Sequence, residues 1–138
     1  MHTFKSLFAC LVIAIALVYA RADDLPKLEG TWQLVETESN GKKDTERSKN
    51  YHWEFKDNQY RIFQNDVKAE TWTVKLDGRS IDSTLTISPK IHGITLKGIY
   101  ELSDDTLRIC YDRRGKERPD DFSAMAGSQR VIYSLRRR

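Results

Sequence analysis

Apolar and polar residues alternate in short segments that end at turn-forming residues. In one segment, for example, Trp72, Val74 and Leu76 are separated by single polar residues. A period of two places successive side chains on opposite faces of an extended strand, so each segment predicts a β-strand with one apolar face. The pattern predicts eight strands and no convincing helix, at residues 30–38, 51–55, 59–64, 70–76, 81–87, 94–102, 106–112 and 129–137.

The connections between these strands are short and rich in turn formers. Asn40-Gly41 and Asp77-Gly78, for example, are dipeptides that favour tight hairpin turns. Short connections favour pairing between consecutive strands, so the predicted fold is all-β, a single eight-stranded antiparallel up-and-down barrel. Such a barrel leaves no exposed strand edge. A two-sheet sandwich is the alternative.

The first residues have the features of a secretory signal peptide. Lys5 precedes an apolar run at residues 7–20, and the Ala-Arg-Ala sequence at residues 20–22 is a small-x-small cleavage site. The apolar run is shorter than the about 20 residues that a membrane-spanning helix needs, so no transmembrane anchor is predicted. We expect residues 1–22 to be removed and residues 23–138 to form one domain, secreted or periplasmic.

The two cysteines exclude an intrachain disulfide from the exported domain. Cys10 lies in the signal segment, and although Ala9-Cys10 is similar to a lipidation site, the apolar run follows Cys10 instead of preceding it. Cys110 is therefore alone beyond residue 22. A domain of this size forms one core without a disulfide, and we expect it to be a monomer.

Several motifs together resemble a known family. Gly30-Thr31-Trp32 resembles the Gly-x-Trp signature of lipocalins and related calycins. The longer set LEGTW, GIYEL, DTLRICY and GKERPDDF, followed by a closing apolar strand, resembles a small uncharacterised domain family named for planctomycete bacteria and regarded as lipocalin-like. The resemblance implies a bacterial exported protein with a calycin barrel. It carries no assigned activity and no catalytic residue.

The resemblance implies a structural role for Trp32. In lipocalins this tryptophan plugs the closed end of the barrel, and a basic residue of the last strand packs across it. The first and last strands of an eight-stranded meander are antiparallel neighbours, so the end of the last strand lies beside the start of the first. We therefore expect Gly30, Trp32 and Arg136 to close the barrel, with Arg137 as the alternative to Arg136.

An aromatic stripe on the inward faces raises the question of a ligand. Eight strands enclose an interior that side chains fill or that holds one small ligand. Because a glycine within a strand leaves space, Gly98 favours a cavity. The expected ligand-binding interior comprises Trp53, Phe55, Trp72, Gly98 and Tyr100. This interpretation predicts a carrier of a small, elongated apolar molecule.

A filled core is the alternative to this carrier. In that case Gly98 accommodates Trp32 or Trp53, and the protein acts through its outer surface and basic loop on an envelope component or a protein partner. The basic residues of the loop at residues 113–128 are offset by acidic ones, so nucleic-acid binding is not predicted. We expect a solvated loop with internal ion pairs, or else contact with anionic glycans or lipid headgroups. Pro119 and Phe122 are expected to fold the loop back onto a barrel end.

Alternation places Cys110 on the outer face or rim, beside Ile99. Its expected role is that of a small apolar filler, and an interchain or mixed disulfide is the alternative.

No Gly-x-Ser-x-Gly, HExxH or CxxC motif is present, and His52 and His92 lie on separate segments. Carboxylates on the strands, Glu54, Glu70 and Glu101, are expected to be solvated. The sequence therefore predicts no enzymatic activity, no metal site and no cofactor.

Overall fold

A computed structural model describes residues 24–138 of the chain. The predicted signal segment, residues 1–22, lies outside the described residues. The elements are a one-turn helix α1 (Leu25–Leu28), the strands β1 (Gly30–Ser39), β2 (Lys42–Asp44), β3 (Tyr51–Lys56), β4 (Gln59–Gln64), β5 (Val67–Asp77), β6 (Ser80–Ser88), β7 (Ile91–Ser103), β8 (Thr106–Asp112) and β9 (Arg130–Arg137), and a 3₁₀ helix (Arg47–Asn50). Within this part of the chain, no helix is long and apolar enough to cross a membrane.

The strands form a closed antiparallel barrel. Strands β3 to β8 each pair with the next strand in sequence. Strand β1 pairs with β3 on one side and with β9 on the other, which closes the barrel. All eight predicted strands are present, and the predicted up-and-down barrel is confirmed. Strand β2 is a ninth, three-residue strand on the end of β1. Its sequence, Lys-Lys-Asp, has no apolar face, so alternation could not predict it.

The alternating strand directions define two ends of the barrel. We call the end where β1 begins and β9 ends the closed end, and the end where β1 ends and β9 begins the open end. Tight turns connect consecutive strands except between β2 and β3 and between β8 and β9. Several of these turns use non-glycine residues with positive φ, such as Asn65 (51°) and Asp66 (64°) between β4 and β5. Such turns match the right-handed twist of the strands that they join.

Helix α1 and β1 seal the closed end around Trp32. The Trp32 side chain is fully buried, and its Nε1 donates a hydrogen bond to the Leu28 carbonyl oxygen at 2.8 Å. The guanidinium of Arg137 lies 4.2 Å from the centre of the indole ring. It also donates hydrogen bonds to the carbonyl oxygens of Glu29 (2.8 Å) and Lys27 (2.6 Å). Arg137 thus ties the last strand to the N-terminal segment and to Trp32.

The prediction that Arg136 covers Trp32 is wrong. In the observed register Trp32 is opposite Arg137, while Arg136 is opposite Gln33 and exposed. Alternation along β9 puts Leu135 and Arg137 on the inner face, so Arg136 points outward. Gly30, in contrast, lies at the predicted place. Its φ is +127°, and a Cβ there would lie 3.2 Å from Nη1 of Arg137.

Replacing Arg137 by alanine is expected to lower the free energy of unfolding by about 1–2 kcal/mol, because it removes a cation–π contact and two hydrogen bonds from a charged donor. Arg136→Ala is the matched control on the same strand, and its effect is expected to stay within about 0.5 kcal/mol. Denaturant unfolding of both variants measures the difference. Equal effects of the two substitutions would contradict the assignment of Arg137 to the closed end.

Candidate functional site

Aromatic side chains fill the half of the barrel nearer the closed end. Trp53, Phe55, Trp72 and Tyr100, four of the residues expected in the interior, are buried, with exposed fractions of 2%, 4%, 8% and 4%. The rings of Trp53 and Tyr60 are stacked with centres 4.7 Å apart. Such contacts stabilise the packing beyond the area that they bury. The aromatic stripe therefore forms a packed core in this half.

The space beside Gly98 is occupied by a side chain of the protein itself. Gly98 is opposite Tyr111 in the sheet, and a Cβ on Gly98 would lie 2.7 Å from Cδ1 of Tyr111 and 2.6 Å from the Cys110 carbonyl oxygen. Gly98 therefore allows the Tyr111 ring to lie against the barrel wall. The expectation that Gly98 makes room for a ligand is wrong. The alternative prediction, that Gly98 accommodates a large aromatic side chain, is correct in kind, but that side chain is Tyr111 instead of Trp32 or Trp53.

A buried hydroxyl network crosses this core. The Tyr111 hydroxyl lies 2.6 Å from Oγ of Ser83 and 3.2 Å from the Tyr60 hydroxyl. All three side chains are almost completely buried, and desolvation raises the pKa of both tyrosines. Because each hydroxyl has a partner, the network satisfies polar atoms that would otherwise be buried unpaired. It links β4, β6 and β8 across the interior.

Above this core, a cavity of about 560 Å³ opens at the open end of the barrel. Its apolar part is formed by Leu34, Trp53, Ile62, Ala69 and Tyr133. The Trp53 and Tyr133 rings have centres 5.1 Å apart and are tilted by 59°, so they form one aromatic surface. Of the residues expected to bind a ligand, Trp53 alone lines this cavity. Phe55, Trp72, Gly98 and Tyr100 lie outside its lining.

Charged residues surround the mouth of the cavity. Lys42, Asp44, Arg47, Glu70 and Arg113 all line it. The two carboxylates already accept hydrogen bonds, since Asp44 Oδ1 is 3.0 Å from the Arg47 backbone nitrogen and Glu70 Oε2 is 2.7 Å from Trp72 Nε1. Within residues 24–138, neither the Arg47 nor the Arg113 guanidinium has an ion-pair partner. The mouth therefore offers cationic hydrogen-bond donors next to an apolar surface.

Most of the residues that form this cavity are absent from the ligand-binding set predicted from the sequence. The inward alternation of β9 predicts Tyr133 in the barrel interior, and the same pattern in β1 could have identified Leu34. Arg47 lies in the 3₁₀ helix between β2 and β3, and Arg113 follows the last residue of β8. Both are in polar connections without periodicity, where alternation gives no information about direction.

Cys110 is confirmed on the outer face beside Ile99, but it is fully buried there. The loop between β8 and β9 covers it, with Phe122 packed on the cluster that Cys110 forms with Ile99, Ala124 and Ile132. Desolvation raises the pKa of the thiol. Phe122 therefore packs against the outer wall, and the expectation that it folds the loop onto a barrel end is wrong for this residue. A later stretch of the loop does reach the open end, where the Gly41 nitrogen lies 2.7 Å from the Ala124 carbonyl oxygen.

Asp112 anchors the start of this loop. Burial alone would raise the pKa of its carboxyl group, but hydrogen bonds from the backbone N–H groups of Glu117 and Arg114 outweigh burial and lower the pKa to about 2. The predicted ion pairs within the loop do not form among the described residues. The loop's charges instead contact residues of the strands: Asp120 and Asp121 lie 3.6 and 3.1 Å from Arg130 of β9, and Arg118 lies 2.8 Å from Asp82 of β6.

The two histidines of the described residues lie on different strands, β3 and β7. His52 is stacked on Phe63 on the outer wall, with ring centres 4.6 Å apart, and lies 3.8 Å from Glu54 and 3.7 Å from Asp66. His92 lies on β7. Among the residues that the structure describes, no group of three or more His, Cys, Asp or Glu side chains is arranged to hold a metal ion.

A closed antiparallel barrel, packed at one end and hollow at the other, defines the class of small eight-stranded β-barrels. Comparison with known families agrees with this class. The family profile described as a lipocalin-like domain matches residues 28–113, and the chain belongs to this family. No functionally curated protein matches the chain.

Two solved structures have a similar fold. An uncharacterized protein from Bacteroides eggerthii aligns with 80% of this chain and 99% of its own, at 15% sequence identity and a TM-score of 0.53. A lipocalin-like protein from Bacteroides uniformis aligns with 80% of this chain and 98% of its own, at 15% identity and a TM-score of 0.51. At this level of identity the similarity concerns the fold alone.

Gly98→Ala is expected to destabilise the protein by about 1–3 kcal/mol, because the added methyl group overlaps the Cys110 carbonyl and the Tyr111 ring. Gly93→Ala serves as the comparison. A Cβ there would lie 3.2 Å or more from its neighbours, which are the side chains of Leu85 and Ile87, so the expected loss is smaller. Thermal or denaturant unfolding gives both values. A Gly98→Ala protein as stable as the wild type would contradict the close packing described.

Alkaline pH is expected to unfold the protein. Desolvation by burial raises the pKa of Tyr60, Tyr111 and Tyr133, and an unfolded tyrosine has a pKa of about 10. Because the pKa is higher in the folded state, the stability from neutral phenols is complete below about pH 10 and is lost as pH rises through the folded-state values. Tyrosinate absorbance should therefore appear together with loss of near-UV circular dichroism. Full tyrosine ionisation near pH 10 in a folded protein would refute this expectation.

Proposed function

We propose that the protein is an exported binding protein that holds one small molecule in the cavity at the open end. The observation that carries this proposal is the combination of an apolar floor, with Trp53 and Tyr133, and a cationic mouth, with Arg47 and Arg113. Binding sites for small molecules commonly pair a largely apolar lining with a few polar groups that orient the ligand. A ligand with an apolar body and one anionic group matches this arrangement.

The size of the cavity limits the shape of the ligand. Its volume of about 560 Å³ lies within the range of about 300–1,000 Å³ that small-molecule sites span. The other half of the barrel is filled by aromatic side chains and by the network of Tyr60, Ser83 and Tyr111. The proposed ligand is therefore compact, in contrast to the elongated molecule that the aromatic stripe suggested.

This proposal is preferred to a role for the loop between β8 and β9 as a basic interaction surface. Arg118 in that loop donates to Asp82 at 2.8 Å and to the Gly98 carbonyl oxygen at 2.8 Å, and Arg130 at its end contacts two acidic residues. Cations already bound within the protein are less available to an outside partner. The proposed role is binding without catalysis, in an exported bacterial protein of the planctomycete-type group that the sequence motifs resemble.

The cavity is expected to bind anilinonaphthalene sulfonate, a compact aromatic anion whose fluorescence rises in apolar surroundings. Ala69→Trp places a large side chain in the lining and is expected to weaken binding at least tenfold, since a filled cavity excludes the probe. Thr73→Trp adds the same side chain to an exposed position of the same strand and should leave binding unchanged. No uptake of probe by the wild type, or equal losses in both variants, would refute the proposal.

The cationic mouth is tested with a matched pair of probes. Phenylnaphthylamine has the same aromatic body without the sulfonate. Arg113→Gln is expected to weaken binding of the sulfonate about tenfold and to leave binding of the neutral probe almost unchanged, because hydrogen bonds to charged groups contribute about 1.5–3 kcal/mol. Lys116→Gln, a charge removed outside the cavity lining, is the control. Equal weakening of both probes would show that Arg113 does not recognise the anion.

A further inference from the structure

Exposed apolar side chains are concentrated at the open end of the barrel. Of the six large hydrophobic residues that are exposed in the described part of the chain, five lie there: Val67, Ile87, Ile91, Ile94 and Met125. The sixth, Val35, is on the outer wall within β1. Clustered exposed apolar residues mark interaction surfaces more often than scattered ones do. The open end is therefore a candidate interaction surface.

The three isoleucines lie on a hairpin that projects beyond the barrel wall. Pairing of β6 with β5 ends at Leu85, and pairing of β7 with β8 begins at Lys97. The strand residues between these two positions pair only with each other. We call residues 86–96 the ribbon. Because neither edge of the ribbon pairs with the barrel, its isoleucines contribute little to the core, and Ile87 and Ile91 are 62% and 56% exposed.

Two further connections present apolar residues at the same end. Val67 is the first residue of β5, directly after the β4–β5 turn, and is 69% exposed. Met125 is 70% exposed. It lies in a segment of the β8–β9 loop that forms hydrogen bonds with the β1–β2 turn. There the Gly41 nitrogen lies 2.7 Å from the Ala124 carbonyl oxygen, and the Gly127 nitrogen lies 3.1 Å from Oδ1 of Asn40. Exposed apolar side chains therefore lie on three separate protrusions around the mouth, which we call the tips: the ribbon, the β4–β5 turn with Val67, and the loop segment with Met125.

Basic residues accompany these tips. Lys68 follows Val67, and Lys90 lies between Pro89 and Ile91 in the turn of the ribbon. Within residues 24–138, the following cations at the open end form no ion pair: Lys42, Lys43, Arg47, Lys68, Lys90 and Arg113. Several acidic groups at this end are already engaged, as Glu46 is by Lys49 at 3.2 Å. The surface therefore combines protruding apolar side chains with unpaired positive charge.

We propose that the open end docks on the surface of an anionic phospholipid bilayer, with the isoleucines of the ribbon in the headgroup region and the surrounding lysines on lipid phosphates. Interfacial binding of this kind combines buried apolar area with attraction to anionic lipids. Separate tips suit a deformable lipid surface, whereas a protein partner would need one continuous complementary patch. The proposal goes beyond the binding of a small molecule, since docking needs no ligand in the cavity. In the docked state the cavity mouth faces the bilayer.

The test uses residues 23–138, which contain the whole closed barrel and lack the apolar N-terminal segment. Sedimentation with vesicles of mixed phosphatidylglycerol and phosphatidylcholine is expected to deplete the protein from solution, and vesicles of phosphatidylcholine alone are expected to bind it at least tenfold more weakly. Added salt should weaken the binding to anionic vesicles. Failure to bind the anionic vesicles would overturn the proposal.

Paired substitutions separate the apolar and the charged contributions. Ile87→Ser with Ile91→Ser is expected to weaken vesicle binding at least tenfold, while Val35→Ser on the outer wall leaves it unchanged. Lys68→Gln with Lys90→Gln is expected to weaken it by about fivefold for each charge removed. Lys56→Gln with Lys75→Gln, away from the open end, is the charge control. Equal effects of substitutions and controls would overturn the proposal.

Two further measurements distinguish this proposal from other interpretations. Ala69→Trp, which fills the cavity, should bind vesicles at least as tightly as the wild type, because the added ring lies at the docking end. Ile87→Ser with Ile91→Ser should still bind anilinonaphthalene sulfonate, so that docking and cavity binding can fail independently. Analytical ultracentrifugation without lipid tests self-association. A dimer that the isoleucine substitutions abolish would show that the ribbon is an interface between copies of this chain, and would overturn the bilayer proposal.

Discussion

The pairing of β1 with β9 is the interaction on which the rest of the structure depends. It joins the first and last long strands of the meander, from Trp32 opposite Arg137 to Ser39 opposite Val131, and leaves neither as a free edge of the sheet. The register shifts between Leu34 and Glu36, so Val35 has no partner across the strands. Such a bulge increases local bending and twist, which closure of a barrel requires. Closure of the sheet encloses the barrel interior, which contains both the packed core and the cavity.

The size of the inward side chains explains why one half of the barrel is filled and the other is hollow. Toward the closed end, β3, β4 and β5 contribute Trp53, Tyr60 and Trp72, and Gly98 admits the ring of Tyr111. Toward the open end, the cavity lining includes short or polar residues, namely Thr37, Ser39, Gln64 and Ala69. These side chains do not meet across the interior. The short side chains that β1 and β5 present toward the open end therefore leave space, which the rings of Tyr51, Trp53 and Tyr133 line.

The alternation of apolar and polar residues identified the strands and their inward faces, because each strand of the barrel has one buried and one exposed face. It assigned the interior to Trp53, Phe55 and Trp72, whose side chains are indeed buried there. It failed where the outcome depends on contacts between distant strands. The choice between Arg136 and Arg137 requires the register of β9 against β1, and a shift of one residue reverses the face.

The partner of Gly98 and the residues of the mouth were missed for related reasons. A glycine in a strand indicates that something approaches closely, but the sequence does not say which side chain does so. Tyr111 becomes its neighbour only through the pairing of β7 with β8. Arg47 and Arg113 lie in polar connections, whose direction is set by local turns and by the rest of the barrel. The fold was therefore more predictable than the site that it carries.

The division of the interior between a packed half and a hollow half has a consequence for how such a protein changes in evolution. Short residues of the cavity lining, such as Ser39 and Ala69, belong neither to the aromatic core nor to the closed end with Trp32 and Arg137, so substitutions there are expected to leave both intact. In the binding role proposed above, selection on the ligand can then change the cavity lining with little effect on the stability of the fold. A single scaffold can in this way diversify its specificity while the sealed half preserves its stability.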